Sequence, residues 1–405
     1  MSSRRRLACV LAVPLAFYVY ACSSDSTDDP TNPEEEGGTT NETGTPDKDG
    51  GSDLDSSTKK DSTATDASDG SVAITCVGNP LLGTPAAVTP DGGVDAGVST
   101  RLVTAAQAAA FVDGPQWVDS QGGFLVYSIF APDNNEAVRR VAIDGGGAAA
   151  FRTAGMNDEL APIGNAVKGG VVLTVGSPKN AGGTAQIFQT LASDGGVLPP
   201  IALPNNGLGD ILNPNDIAVH PNGNFYFTDG QYIGGSNEPA LYRVLNDAGV
   251  QQIDKNLPRP NGIALSADAK KLYVGLGPND GEAGKAILVY DVNVDGTIVK
   301  SGTNPSTFIP GTALVDNPDG IAIDVGGNLW VAESAVDGSA NGRVEIFAPN
   351  KTKLGTIPFG GSRPTGIAFG GADNKTVFIS TEALSSGGLV APGIFTFKSR
   401  CAGVR

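Results

Sequence analysis

From about residue 111 onward, short apolar runs alternate with clusters of Gly, Asn, Asp and Pro. The stretch from Leu212 to Asp229 shows the unit in full. Pro214-Asn215-Asp216 leads into the apolar run Ile217-Ala218-Val219, Pro221-Asn222-Gly223 makes a turn, and Phe225-Tyr226-Phe227-Thr228-Asp229 follows. The same phrase returns as Pro260-Asn261-Gly262-Ile263-Ala264-Leu265 closing with Leu272-Tyr273-Val274. It returns as Pro318-Asp319-Gly320-Ile321-Ala322-Ile323 closing with Leu329-Trp330-Val331, and as Pro364-Thr365-Gly366-Ile367-Ala368-Phe369 closing with Val377-Phe378-Ile379. From Asn215 through Asn261 and Asp319 to Thr365 the intervals are 46, 58 and 46 residues. A recurrence of short strands and turns every 40 to 50 residues is the mark of a β-propeller blade.

Two less regular units precede these four. Phe111 to Val118 with Phe124-Leu125-Val126-Tyr127 and Ala137 to Ile143 reads as a first blade, and Ala161 to Val175 with Gln186 to Leu191 as a second. Ala240 to Val244, Ile287 to Tyr290, Val344 to Phe347 and Ile394 to Phe397 read as the outer strands of the later blades. The expectation is an all-β, six-bladed β-propeller over residues 76–405. Asp291-Val292-Asn293-Val294-Asp295-Gly296 imitates the first half of a calcium loop, but its twelfth position is Gly302 rather than the bidentate glutamate, so a hairpin is expected there.

Composition sharpens this picture at its edges. The formal charge of −16 gives phosphates no basic footprint, so nucleic acid is not an expected partner. Residues 23–71 carry 14 acidic and three basic residues, so the propeller itself is only mildly acidic. His220 is the one histidine, which removes a His-rich zinc site and leaves a Ser-His-Asp triad almost without supply. It stands at the far end of a short strand, before a Pro-Asn-Gly turn, and reads as a turn residue at the opposite mouth from the phrase's polar start.

The N-terminal segment is of another kind. Arg4-Arg5-Arg6, an apolar core from Leu7 to Tyr20 and Val19-Tyr20-Ala21-Cys22 resemble a bacterial lipoprotein signal over residues 1–22. In that reading Cys22 carries lipid and the protein is exported and anchored to a membrane of the cell envelope; an ordinary secretory signal is the alternative. Residues 23–75, rich in Ser, Thr, Asp, Glu and Gly, cannot bury enough apolar surface to offset the entropy of ordering. They read as a disordered tether, with a reach of roughly 40 Å for a flexible coil of that length. Cys76 and Cys401 are the cysteines left beyond the signal. In an exported protein an even number suggests a disulfide, here one that would lock the first and last blades, against two buried thiols as the alternative.

The chemistry is expected at the polar residue that opens each innermost strand, because in a propeller these starts converge at one end of the central channel. Asp113, Asn215, Asn261 and Asp319 are placed in that slot: two carboxylates and two amides, an all-oxygen set suited to calcium. Asp216 reads as a brace for the loop.

Asn213-Pro214-Asn215-Asp216, Arg259-Pro260-Asn261-Gly262 and Pro318-Asp319-Gly320 with Leu329-Trp330-Val331 resemble the senescence marker protein/gluconolactonase (regucalcin-like) family of six-bladed propellers. The resemblance covers most of residues 105–398. It implies a central divalent metal held by the residues matching Asn261 and Asp319, with Asn215 touching metal or substrate. It also implies that Asp319 takes the proton in hydrolysis of a small lactone or ester. Three features depart from the family pattern: Asp113-Gly114-Pro115 replaces Glu-Gly-Pro, Ser128-Ile129 replaces Ser-Asp-Ile, and the second blade lacks the usual His and Arg. Two functions therefore stand side by side, a calcium-dependent lactonase and a non-catalytic surface propeller that binds a ligand or protein with a structural calcium.

Overall fold

The computed structural model describes Cys76, residues 80–81 and 100–104, and residues 111–404 apart from 131–136, 154–159, 180–182, 204–210, 212, 231–238, 246–248, 278–283, 300, 335–341, 360–361 and 384–391. The signal segment with Cys22 and the tether lie outside the described residues. Among the described residues no helix is long and apolar enough to cross a membrane.

The described chain forms six four-stranded antiparallel sheets. Blade one runs β2 (Phe111–Val118), β3 (Phe124–Phe130), β4 (Ala137–Val141) and β5 (Ala149–Arg152). Blade two runs β6 (Leu160–Lys168), β7 (Val171–Pro178), β8 (Gln186–Leu191) and β9 (Val197–Ala202). Blade three is β10 (Pro214–Val219), β11 (Phe225–Asp229), β12 (Ala240–Leu245) and β13 (Gly249–Lys255), and blade four β14 (Pro260–Leu265), β15 (Lys271–Leu276), β16 (Ala286–Asp291) and β17 (Ser306–Pro310). Blade five is β18 (Asn317–Ile323), β19 (Leu329–Ser334), β20 (Arg343–Phe347) and β21 (Lys353–Pro358). Blade six takes β22 (Ser362–Gly370), β23 (Thr376–Ala383) and β24 (Gly393–Lys398) from the end of the chain and β1 (Thr100–Thr104) from its beginning. Each first strand packs on the first strand of the next blade, and β22 returns to β2 to close the ring.

Why the apolar runs are nearly continuous follows from the packing. Both faces of a blade are covered, so successive side chains of one strand enter different inter-blade cores. Phe225 and Phe227 of β11 face blade two, while Tyr226 between them faces blade four. Trp330 faces blade six, and Leu329 and Val331 face blade four. Fully burying one such side chain stabilises the fold by about 1.5–3 kcal/mol.

Two expectations are corrected. The strands containing Tyr242, Val289, Ile346 and Phe395 are third in their sheets, not outermost. Blades three to five end in β13, β17 and β21, each of which mixes one or two buried apolar residues with exposed and half-buried ones and so gives little signal, and blade six ends in β1. The ring is closed by β1 pairing with β24, Thr100 opposite Thr396 and Thr104 opposite Gly393. Cys76 and Cys401 are bonded, with Cα atoms 5.5 Å apart. This bridge does not join blade one to blade six: Cys76 precedes β1 and Cys401 follows β24, and both strands belong to the same blade.

His220 is buried in the turn after β10, its ring edge-on to Tyr226, well away from the polar starts of the strands. Asp291 to Gly296 leads from β16 into a tight hairpin, with Asp295 accepting from the Thr297 amide at 2.9 Å.

Candidate active site

Every innermost strand carries a one-residue bulge at the same place. Pro162, Pro214, Pro260, Pro318 and Pro364 each pair regularly with the second strand, and pairing resumes three residues later at Asn165, Ile217, Ile263, Ile321 and Ile367. A bulge releases the residue after the proline from the ladder and re-aims it, here toward the channel. In the second to sixth blades that slot holds Ile163, Asn215, Asn261, Asp319 and Thr365. The next residue is glycine in blades two, four, five and six for a steric reason. A Cβ on Gly164, Gly262 or Gly320 would stand 2.1–2.6 Å from the slot carbonyl of the following blade.

Blade one keeps the arrangement without the proline. Its bulge opens after Asp113 and pairing resumes at Gln116, and Gly114, with φ +53°, takes the place of the other glycines, since a Cβ there would stand 2.3 Å from the Ile163 carbonyl of blade two. Asp113 therefore occupies the slot, with Val112 where the other blades have proline. Its carboxylate accepts from the Gly114 amide at 2.7 Å.

Asp113, Asn215, Asn261, Asp319 and Thr365 line both a cavity of about 520 Å³ at one mouth and a small void of about 70 Å³ in the channel below it. They form the constriction between the two, so the structure does bring the four expected site residues together. Asp216 points into the lower void, and its carboxylate accepts from the Ile217 amide at 2.9 Å and the Ile263 amide at 3.2 Å. It thereby ties blade three to blade four, as a brace would.

Sequence reading missed several lining residues. Ser334 lies 2.7 Å from Asp319 Oδ2 and 2.8 Å from the Pro364 carbonyl. The hydroxyl has one proton, and the carbonyl can only accept. When that proton goes to Pro364, the contact with Asp319 requires a proton on the carboxyl. Glu382 faces the same cavity, 2.8 Å from Arg363 Nε, although that N–H is not aimed along the contact. The available signal was register: Asp229, Glu333 and Glu382 all close second strands opposite the phrase's proline or its neighbour. Two of them hold the incoming segment. Asp229 accepts from the Asn213 amide at 2.9 Å, and Glu333 from the amides of Val315 and Asp316 at 2.8 and 2.7 Å.

The electrostatics are those of crowded acids. Asp113, Asp216 and Asp319 are enclosed by protein except where they meet the cavity or channel. Burial pushes Asp113 from 3.8 up to about 6 against the opposing bonds from Gly114 and Thr365. Burial, then the Asp113 charge, pushes Asp216 to about 7 and raises Asp319 well above its ordinary value. Burial also lifts Glu382 to about 7, with Arg363 opposing and Asp113 adding to the rise. A cation would relieve this repulsion, and the donors are all hard oxygens. Among the described residues no three His, Cys, Asp or Glu side chains are arranged to hold a metal ion on their own. A metal here would depend on the Asn215 and Asn261 amides as well as the carboxylates.

These shifts predict a pH effect on the metal-free protein. Each carboxyl has a folded pKa above its unfolded one, so its contribution is fully present below about pH 4 and is lost as pH rises through the folded value, which for Asp113, Asp216 and Glu382 means through about 6 to 7. In chelator the melting temperature should be lower at pH 8 than at pH 5. Added divalent cation should raise it more at pH 8, where the carboxylates are already ionised; scanning calorimetry at both pH values reads both effects.

The family model "SMP-30/Gluconolactonase/LRE-like region" matches residues 111–383. The chain belongs to this family. A gluconolactonase of Zymomonas mobilis is 30% identical over 305 residues, 70% of this chain and 80% of its own length. Among solved structures, a gluconolactonase from Xanthomonas campestris aligns with TM-score 0.56 at 22% identity, covering 79% of this chain and 97% of its own. A calcium-binding regucalcin from Agrobacterium tumefaciens aligns with TM-score 0.57 at 14% identity, covering 75% and 94%. At these identities the two structures speak to the fold, a six-bladed propeller, and the family assignment rests on sequence.

Proposed function

We propose that this chain is a calcium-dependent lactone hydrolase. The observation that carries the reading is the constriction of Asp113, Asn215, Asn261 and Asp319 at the base of the cavity, where two buried carboxyls stand together with amide oxygens and the Asp113 charge adds to the effect of burial on Asp319. Family membership and the gluconolactonase relative support the same reaction. Asp319, Asn261 and Asp113, helped by Asn215, would hold the ion. When bound, a divalent cation supplies a Lewis acid for the lactone carbonyl.

The chain's own residues do the rest. Asn215 orients the ester group against the constriction. Asp319, held by Ser334 and made a stronger base than an ordinary carboxylate by its burial, positions water and receives its proton as the water oxygen bonds to the carbonyl carbon. The ring C–O bond breaks, the ring oxygen takes that proton, and the open hydroxy acid leaves, ionising in solution.

Hydrolysis of a panel of sugar and simple lactones by the full chain, with calcium and with chelator, tests this. Turnover that chelator abolishes and calcium restores is expected. Calcium binding without turnover on any lactone or ester would assign the site to a binding propeller instead.

The lipoprotein signal supports anchoring of the exported protein to an envelope membrane through Cys22. Mass spectrometry of the native protein should find a lipid-modified N-terminus at that residue, and an unmodified N-terminus beyond it rejects the anchor.

A further inference from the structure

The six slots around the channel are not chemically even. Asp113 of blade one and Asn215, Asn261, Asp319 and Thr365 of blades three to six make the constriction polar, while blade two places Ile163 there. Above Ile163 the apolar side continues upward. Pro162 and Pro178 come from blade two, and Phe111 and Phe130 from blade one, the two rings 5.7 Å apart. Phe111 is 44% exposed although it lines the cavity, an apolar surface available to a ligand.

The polar residues on this side are engaged with the protein. The Ser128 hydroxyl accepts from Asn165 Nδ2 at 2.9 Å, and Asn165 is itself bonded to Thr174 and the Gly114 carbonyl. The Ser177 hydroxyl accepts from Asn213 Nδ2 at 3.4 Å. Lys179 lays its ammonium 5.7 Å from the Phe130 ring centroid. A polyhydroxylated ring pressed here would leave hydroxyls desolvated against Ile163, proline and phenylalanine without partners, which is costly. An alkyl or aryl group would be stabilised by the same wall.

We infer that the preferred substrate is a lactone bearing an apolar substituent, its carbonyl at the acidic constriction and its substituent along the blade one and two wall. The inference rests on the lactone-hydrolase reading of the same site. A cavity of about 520 Å³ lies within the range of small-molecule sites, about 300–1,000 Å³.

The experiment compares kcat/KM of the full-length protein with calcium for 1,5-lactones carrying no, a propyl or a pentyl side chain, and for D-glucono-1,5-lactone. Each methylene buried on the wall should raise kcat/KM about fourfold, and the pentyl lactone should exceed the gluconolactone by tenfold or more. Ile163→Asn should flatten the dependence on chain length. Calorimetric binding of the matching lactams to the wild type gives a readout independent of turnover, and its Kd should fall by the same factor per methylene. Gluconolactone turned over best, with no gain from the alkyl chain, overturns the inference and leaves the hydrolase reading intact. Lactam affinity that rises with chain length while no lactone is hydrolysed keeps the apolar subsite and removes the hydrolase. Lactam affinity independent of chain length overturns the inference whatever the kinetics.

Discussion

Asp319→Asn should lower kcat/KM for lactone hydrolysis by about 10²–10⁴-fold, the usual contribution of a positioned acid–base group, while making the metal-free protein more stable at neutral pH. The two halves have one cause. Asp319 lies between the Asp113 and Glu382 charges in a poorly solvated constriction, and its ionised form is disfavoured there. An amide of the same shape keeps a contact to Ser334 and removes the repulsion. The melting temperature in chelator at pH 8 should therefore rise, and the stabilisation on adding calcium should shrink, because a charged donor has been lost. Functional sites commonly hold such costly groups. Activity loss with an unchanged calcium response would show that Asp319 acts on the proton alone. Unchanged activity would remove it from the reaction.

Much of this architecture was legible because propeller blades repeat. The proline, the polar slot residue and the glycine recur with the bulge, and each has a physical reason. Proline lacks the N–H, the bulge turns the next side chain inward, and the glycine admits the neighbouring blade's carbonyl. Asn215, Asn261 and Asp319 could thus be placed from sequence. Asp113 could be placed as well, although its proline follows the slot as Pro115 instead of preceding it, because Gly114 admits the blade two carbonyl just as the other glycines admit theirs.

What stayed hidden depends on neighbours rather than period. Glu382 and Ser334 reach the cavity from second strands, where the polar runs Ser380-Thr381-Glu382 and Glu333-Ser334 after apolar residues resemble an ordinary strand end. β1, Thr-Arg-Leu-Val-Thr, has the composition of any short exposed segment and becomes a strand only because β24 offers it an open edge. The apolar wall of blades one and two was visible as irregularity in the repeat. Its meaning needed the ring that sets Ile163 opposite the polar slots.

Replacing Cys76 and Cys401 by serine should lower the melting temperature without reducing turnover at 25 °C. The bridge spans 325 residues, for which the chain-entropy model gives about 6 kcal/mol. For a domain of this size that corresponds to a fall of about 8 °C. The effect should be local before it is global. Arg400 donates its amide to the Pro80 carbonyl at 2.9 Å, Val325 donates to the Ala402 carbonyl at 2.8 Å, and Val404 to Ile323 at 3.0 Å. The bonded cysteines therefore hold the two chain ends against the turn between β18 and β19, at the end of β18 remote from Asp319. Without the bridge, the β1–β24 ladder loses the tether on its N-terminal partner and can open alone. Hydrogen exchange should quicken at β1 and β24 while β10 and β14 keep their protection, because the core between them contains no residue of the chain ends. Turnover should hold for the same reason, since the constriction is built at the opposite ends of the strands. A melting temperature indifferent to reduction would mean that β1 pairing alone closes the ring.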